Sequence, residues 1–373
     1  MEKTPSLTHV IWITPERTPY HDFFFADLAL KVSRLDVIIT GCAVHPWKGV
    51  TQPDYNLFSC TTSFGFWRLF FSLFISHANR ALFVVSGWNR AQYICTMLLL
   101  ALGRRPFIFW TDTPNVGRSR SFVLRAFRLI VTRSVFYLAE RTMSTGTPGK
   151  NALIDMGCPP DRAIVFPFFV PVPDSRVERG IQARKIFFSA GRLDNALKGF
   201  DISMHAYAKV CRTAEGQNLE YRIAGDGVDR KKLFALAGEL GIKSTVSFLG
   251  WLSSEEMRNE LNCATAFIHP ARCDPFPVVV LEAMAAGCVV LGSDVCGSVM
   301  DRVKHGKNGM IHAVGDVDTL SFQMKMLNQN TQYAEEMGQE AYKTACSWKV
   351  FVGANIVLRE CMITCYINDS SVI

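Results

Sequence analysis

The chain has 373 residues, 49% of them hydrophobic and 20% charged, which is more than one core usually organises and too apolar for a disordered chain, so two folded domains are expected. Its net charge of +7 is uneven: residues 1–167 carry 18 Lys/Arg against 10 Asp/Glu, or +8, leaving 22 against 23, or −1, for the remainder. The first half should therefore face an anionic partner, and a membrane surface is favoured over nucleic acid because no recognition module accompanies the charge.

In chain order, HVIWIT from His9 reads as a buried strand, followed by a helical pattern from Phe23 to Ser33. Asp36 to Thr40, Ala81 to Ser86 and Pro106 to Trp110 read as further strands, with Ala91 to Leu102 and Phe122 to Met143 as helices. The apolar runs Phe66 to Ile75 and Tyr93 to Leu102 are shorter than the ~20 residues that span a bilayer. Arg118, Arg120, Arg125, Arg128 and Arg133 punctuate apolar residues, a pattern that suits either a helix lying in a membrane interface or a core helix with a solvated basic edge. After AIVFPFF at Ala163 to Phe169, Pro171, Pro173 and a polar stretch to Arg184 read as an interdomain linker.

The second half alternates more regularly. Strands are expected near Lys185 to Ser189, Tyr221 to Ala224, Thr245 to Phe248, Ala264 to His269 and Cys288 to Leu291. Helices follow from Gly199, Arg230 to Leu240, Glu255 to Leu261 and Val278 to Ala286. Such units make a parallel sheet covered on both faces, with ligands at the carboxyl ends of the strands. The 12 cysteines are scattered without C-x-x-C pairs and the start has no signal-peptide layout, so a reducing cytosolic setting is expected.

Two cations, Arg192 and Lys198, lie in the first loop of this half, among Gly191 and Gly199. Guanidinium and ammonium donors between a strand end and a helix start suit a diphosphate clamp; the other reading is a solvated loop. Downstream, Pro277 is placed at the first helical position, which puts Asp274 in the preceding loop and Glu282 on the second turn. Paired carboxylates can accept hydrogen bonds from sugar hydroxyls, although an N-terminal cap and a buried helix partner are the alternatives. Asp316 and Asp318 in Gly315-Asp316-Val317-Asp318 form an Asp-x-Asp, read here as a helix start and not as a metal site.

At these residues the chain resembles the family 4-like, group 1 glycosyltransferases of GT-B fold. The matching pieces are Gly191-Arg192-Leu193, Lys198-Gly199, Ala224-Gly225-Asp226-Gly227, Phe248-Leu249-Gly250, Asp274 to Gly287, Gly297 to Asp301 and His305 to Gly309. The match is continuous over roughly Lys185 to Ile311, whereas a lone Gly-x-Gly would carry little weight. The resemblance implies an α/β architecture of two doubly wound Rossmann-like domains facing a central cleft. Residues 1–168 would bind the acceptor, 169–346 the nucleotide-sugar donor, and the helix in 347–373 would cross back.

It further implies that Arg192 and Lys198 hold the donor diphosphate together with Gly191 and Gly225. Asp274 would contact the transferred sugar, Glu282 the nucleotide ribose, and Phe276, Val278 and Val279 would line the pyrophosphate site. Asp274 stands where the family has glutamate, and Pro277 removes one amide. The N-terminal half lacks the family's Gly-Gly loop, and Asp112 stands near where a histidine is expected. His21 and Asp112 are the acceptor-side candidates, each otherwise a cap or turn residue. The implied reaction is retaining transfer to a glycan or lipid-linked acceptor in surface polysaccharide assembly, at the inner membrane face, with the nucleotide-sugar as co-substrate and no metal or other cofactor. A nucleotide-sugar 2-epimerase and a non-catalytic binding module are the rival readings.

Overall fold

The computed structural model describes residues 9–41, 53–76, 81–88, 90–114, 122–176, 185–213 and 218–369. Two compact units emerge: Met1–Val170 with Val350–Ile373, and Pro171–Lys349.

Unit 1 runs β1 (His9–Thr14), α1 (Pro19–Ala29), β2 (Arg34–Ile39), β3 (Asn56–Ser59), α2 (Ser63–Ser76), β4 (Ala81–Ser86), α3 (Ala91–Leu102), β5 (Phe107–Thr111), α4 (Phe122–Leu138), β6 (Arg141–Ser144), α5 (Thr147–Asp155) and β7 (Ala163–Val165). The strands are parallel in the order β3-β2-β1-β4-β5-β6-β7. Each central strand is apolar on both faces because both are covered. Ile11, Ile13, Phe83 and Val85 meet α2 to α5, while Val10, Trp12, Leu82 and Val84 meet α1. The helix expected through Met143 stops at Leu138. Glu140 then donates its N–H to Phe107 O (3.0 Å), starting the four-residue strand β6 that the sequence pattern had absorbed into the helix.

Unit 2 runs β8 (Lys185–Ala190), α6 (Asn195–Lys198), α7 (Phe200–Cys211), β9 (Leu219–Ala224), α8 (Arg230–Glu239), β10 (Val246–Gly250), α9 (Ser254–Cys263), β11 (Ala266–His269), α10 (Val278–Ala285), β12 (Val289–Ser293), α11 (Gly297–Arg302), β13 (Gly309–His312), α12 (Val317–Gln329) and α13 (Thr331–Cys346). Its parallel order is β10-β9-β8-β11-β12-β13. Chain order reverses between β8 and β11, and loops leaving neighbouring strands diverge at such a reversal, which opens a ligand crevice. Asp316 caps α12, accepting from Thr319 N–H (2.9 Å) and Oγ1 (2.6 Å), while Asp318 pairs with Lys209.

The last helix, α14 (Val350–Asp369), joins unit 1 rather than unit 2 because Ala354 and Val357 complete the apolar face around α1. Lys31 Nζ donates to Asn355 Oδ1 (3.3 Å), and buried Glu360 pairs with Arg141 (2.9 Å).

Candidate functional site

The loop leaving β8 carries Gly191, Arg192, Leu193 and Asp194. It is fixed to the loop leaving β9 by main-chain bonds: Leu193 N–H to Asp226 O (2.9 Å), Asp229 N–H to Leu193 O (3.0 Å) and Gly191 N–H to Ala224 O (3.1 Å). Gly225 makes this approach possible. Its φ is +120°, and a Cβ there would fall inside contact distance of the Gly191 carbonyl oxygen. Arg192 projects from this braced loop as an exposed side chain.

Across the switch point, the β8 and β11 loops are stitched together. Arg272 N–H and Cys273 N–H both donate to Leu197 O (2.8 and 3.0 Å). The Arg272 guanidinium grips Asp201 with two bonds (2.7 and 2.8 Å) and also donates to Asn195 O (3.0 Å). At the centre Lys198 forms an ion pair with Asp274, whose Oδ2 also lies 3.0 Å from His269 Nε2. Burial alone would raise the Asp274 pKa, but His269 and Lys198 outweigh it and hold the carboxyl below its ordinary value. An ionised carboxylate, an ammonium and an imidazole thus meet where two loops diverge.

The chain then turns into α10. Pro277 is its N-cap, with φ −62° and ψ 120° and no side-chain cap, so it stands one residue before the first helical residue, Val278, and not at the first helical position expected from the sequence. Val278 and Val279 are therefore the first residues of a helix start that no side chain closes, an arrangement suited to an anion. Phe276 is buried under Arg302, whose guanidinium lies 4.6 Å from the ring centroids of both Phe276 and Trp348. Ser298 Oγ donates to Pro277 O (3.0 Å), which ties the α11 start to the same turn.

Glu282 follows on the second turn of α10, partly buried. Burial pushes its pKa from 4.5 up to about 7, with the Arg258 charge pulling the other way. A folded pKa above the unfolded one means the native state holds the proton more tightly. Its contribution to stability is complete at low pH and is lost as pH rises from about 4.5 through about 7. Thermal melting of parent and Glu282→Gln across this range should show the parent losing ground to the variant as pH rises, then a constant difference above. A difference that does not vary with pH would contradict this protonation.

The acceptor-side candidates lie in unit 1. His21 sits in the first turn of α1, its N–H facing Thr18 Oγ1 (3.4 Å). Its ring is buried against Phe25 (5.7 Å between centroids), Tyr20 (4.8 Å) and Trp110 (6.1 Å), and burial lowers its pKa to about 4. It is a neutral imidazole near pH 7. Asp112 is exposed and accepts from Thr113 N–H (2.8 Å) and Thr145 Oγ1 (2.7 Å), fixing the turn after β5 to the residues after β6. That is the turn role left open by the sequence.

Several contributors escape sequence reasoning. His269, the Arg272–Asp201 brace and Arg302 all shape the Asp274 turn. A polar residue ending the apolar strand AFIH is a legible signal for His269; Arg302, one of many arginines, carries none. Among the described residues, no group of three or more His, Cys, Asp or Glu is placed to hold a metal ion.

Residues 173–344 match the family model described as "Glycosyl transferases group 1". An uncharacterized glycosyltransferase of Methanocaldococcus jannaschii is 35% identical over 126 residues, 34% of this chain and 31% of that protein. The D-inositol 3-phosphate glycosyltransferase of Acidothermus cellulolyticus is 27% identical over 233 residues, 58% of this chain and 50% of that protein. The lipopolysaccharide 1,6-galactosyltransferase of Salmonella typhimurium is 33% identical over 101 residues, 26% and 28% of the two chains. The chain thus spans half or less of the length of these relatives. Among solved structures, Anabaena HepE in complex with UDP superposes with a TM-score of 0.73 at 16% identity, covering 95% of this chain and 99% of that one. The sucrose-phosphate synthase of Thermosynechococcus elongatus gives 0.72 at 16%, covering 96% and 100%. At such identities the likeness shows the fold, two parallel sheets with helices as in GT-B glycosyltransferases.

Proposed function

We propose that the chain transfers a sugar from a nucleoside-diphosphate sugar to a glycan or lipid-linked acceptor in surface polysaccharide assembly, because residues 173–344 match the model of the group 1 glycosyl transferases. The observation that carries this reading is the Lys198–Asp274–His269 cluster beside the uncapped start of α10, at the switch point of the unit 2 sheet. An ammonium and free helix-end amides suit a diphosphate. A carboxylate held ionised suits sugar hydroxyls.

In this reading Lys198, Arg192 and the amides of Val278 and Val279 take the diphosphate, which replaces part of the Lys198–Asp274 contact. Asp274 orients the transferred sugar and Glu282 binds the ribose. The anomeric carbon–oxygen bond to the diphosphate breaks, and the acceptor oxygen bonds to that carbon on the same face. The acceptor proton passes to the leaving diphosphate, so no protein nucleophile is required and configuration is retained. His21 and Asp112 are assigned to the acceptor side. Support for the donor and acceptor classes comes from the UDP and glucose held by HepE and from the lipopolysaccharide galactosyltransferase among the relatives.

Thermal stabilisation tests the donor assignment. A nucleotide-sugar at about 100 times its Kd should stabilise the fold by roughly 2.7 kcal/mol through mass action. Among UDP- and GDP-sugars one should raise Tm measurably, and Arg192→Ala should reduce the shift at equal concentration. If no nucleotide-sugar shifts Tm, the proposal fails.

A further inference from the structure

Helices α2, α3 and α4 cover one face of the unit 1 sheet, their inner residues Phe66, Phe70, Tyr93, Met97, Val135 and Phe136 joining one core. They lie side by side: Gly103, ending α3, abuts Phe74 of α2, and α3 packs on α4. A surface helix ordinarily turns a polar face outward. These do not.

On α2, Phe64, Arg68, Phe71 and Ile75 follow one another at helical spacing on the solvent side, Phe64 being 79% and Ile75 72% exposed. On α3 the outward stripe ends in Leu98 and Leu102, the latter 81% exposed. On α4, Ile130 is 66% exposed and Arg133 lies one turn on. All the charges in the three helices are arginine: Arg68, Arg125, Arg128 and Arg133, with no Asp, Glu or Lys. Arg118 and Arg120 lie outside the described residues, as do the side chains of Arg125 and Arg128.

We infer that this three-helix face docks on an anionic lipid bilayer, with its phenylalanine and leucine side chains in the acyl boundary and its arginines at the headgroups. Both halves of the recognition are present, since apolar area gives insertion and fixed positive charge gives attraction to anionic lipid. A second copy of the chain is disfavoured, because a symmetric pairing would set an acid-free, arginine-bearing surface against itself. The inference rests on the reading of a membrane-side acceptor only for its purpose; lipid binding is measured without donor or acceptor.

The test is flotation of the full chain with vesicles of phosphatidylcholine alone and of phosphatidylcholine mixed with phosphatidylglycerol. The parent should float with the mixed vesicles, less so as salt rises. Arg68→Glu/Arg133→Glu should weaken binding at least about fivefold per cation. Phe71→Glu/Leu98→Glu should abolish it, and the milder Phe71→Ser/Leu98→Ser should weaken it, with unchanged melting and nucleotide-induced stabilisation reporting an intact fold. Flotation of all variants like the parent overturns the inference. So does a parent that ignores phosphatidylglycerol, or a parent dimer that these substitutions split while no lipid is bound. Absence of any nucleotide-induced stabilisation in the parent would count against the donor reading alone.

Discussion

Lys198→Ala is expected to lower donor-dependent turnover by about 10- to 150-fold, the equivalent of a charge-assisted hydrogen bond of roughly 1.5–3 kcal/mol. The ammonium belongs to two partners in succession: Asp274 in the structure described here, and the diphosphate in the proposed complex. Its loss leaves a buried carboxylate with His269 and removes a cation from the leaving group. Both kcat and affinity should fall, because the diphosphate charge is present in the ground state and grows in the transition state. Asp274→Asn should behave differently, lowering kcat more than it raises KM, since sugar orientation matters most at the transition state. Asp274→Glu keeps the charge and should retain more activity than Asp274→Asn. Steady-state kinetics on the folded variants check this, and equal turnover in parent and Lys198→Ala would remove the clamp from the account.

The second large effect concerns Gly225, where alanine meets two obstacles. A φ of +120° is unfavourable for any side chain, and the new Cβ would collide with the Gly191 carbonyl, which is backbone and cannot rotate away. Together strain and overpacking should cost about 2–6 kcal/mol, a large fraction of the stability of an ordinary domain. The loop that must move carries Arg192, so donor binding should be lost along with stability. Gly238→Ala is the matched control. It lies in α8 with no neighbouring atom within 4 Å of a new Cβ, and should stabilise by roughly 0.5–1 kcal/mol. Denaturant unfolding of both variants reads the opposite signs; a harmless Gly225→Ala would show that the β8 and β9 loops are not braced as described.

The fold class was legible because repeated strand–helix units bury both faces of a parallel sheet, which leaves continuous apolar runs such as HVIWIT and ALFVVS. Short elements were not. β3 and β6 have four residues each, and β6 follows an apolar helix with only Ala139 and Glu140 between them. Helical periodicity therefore ran on past Leu138 to Met143. The loops proposed for the donor stand out in the sequence because their chemistry is local: glycines, two cations and the Asp274 to Glu282 spacing lie in short segments. What they touch does not, because Lys198 and Asp274 are 76 residues apart and meet only through the β8–β11 reversal. His21 reads in the sequence as a polar residue free for an acceptor, a cap or a turn, yet it is enclosed by rings from α1 and β5. Such enclosure depends on tertiary packing, which loop composition does not encode.

The most direct test of the donor site is a crystal structure of the chain with UDP or the nucleoside diphosphate that stabilises it best. The diphosphate should lie at the β8–β11 switch point, its oxygens within hydrogen-bond reach of the Lys198 ammonium and the Val278 and Val279 amides, with the ribose beside Glu282. A nucleotide bound elsewhere, with the Lys198–Asp274 pair and the α10 start untouched, would contradict this placement.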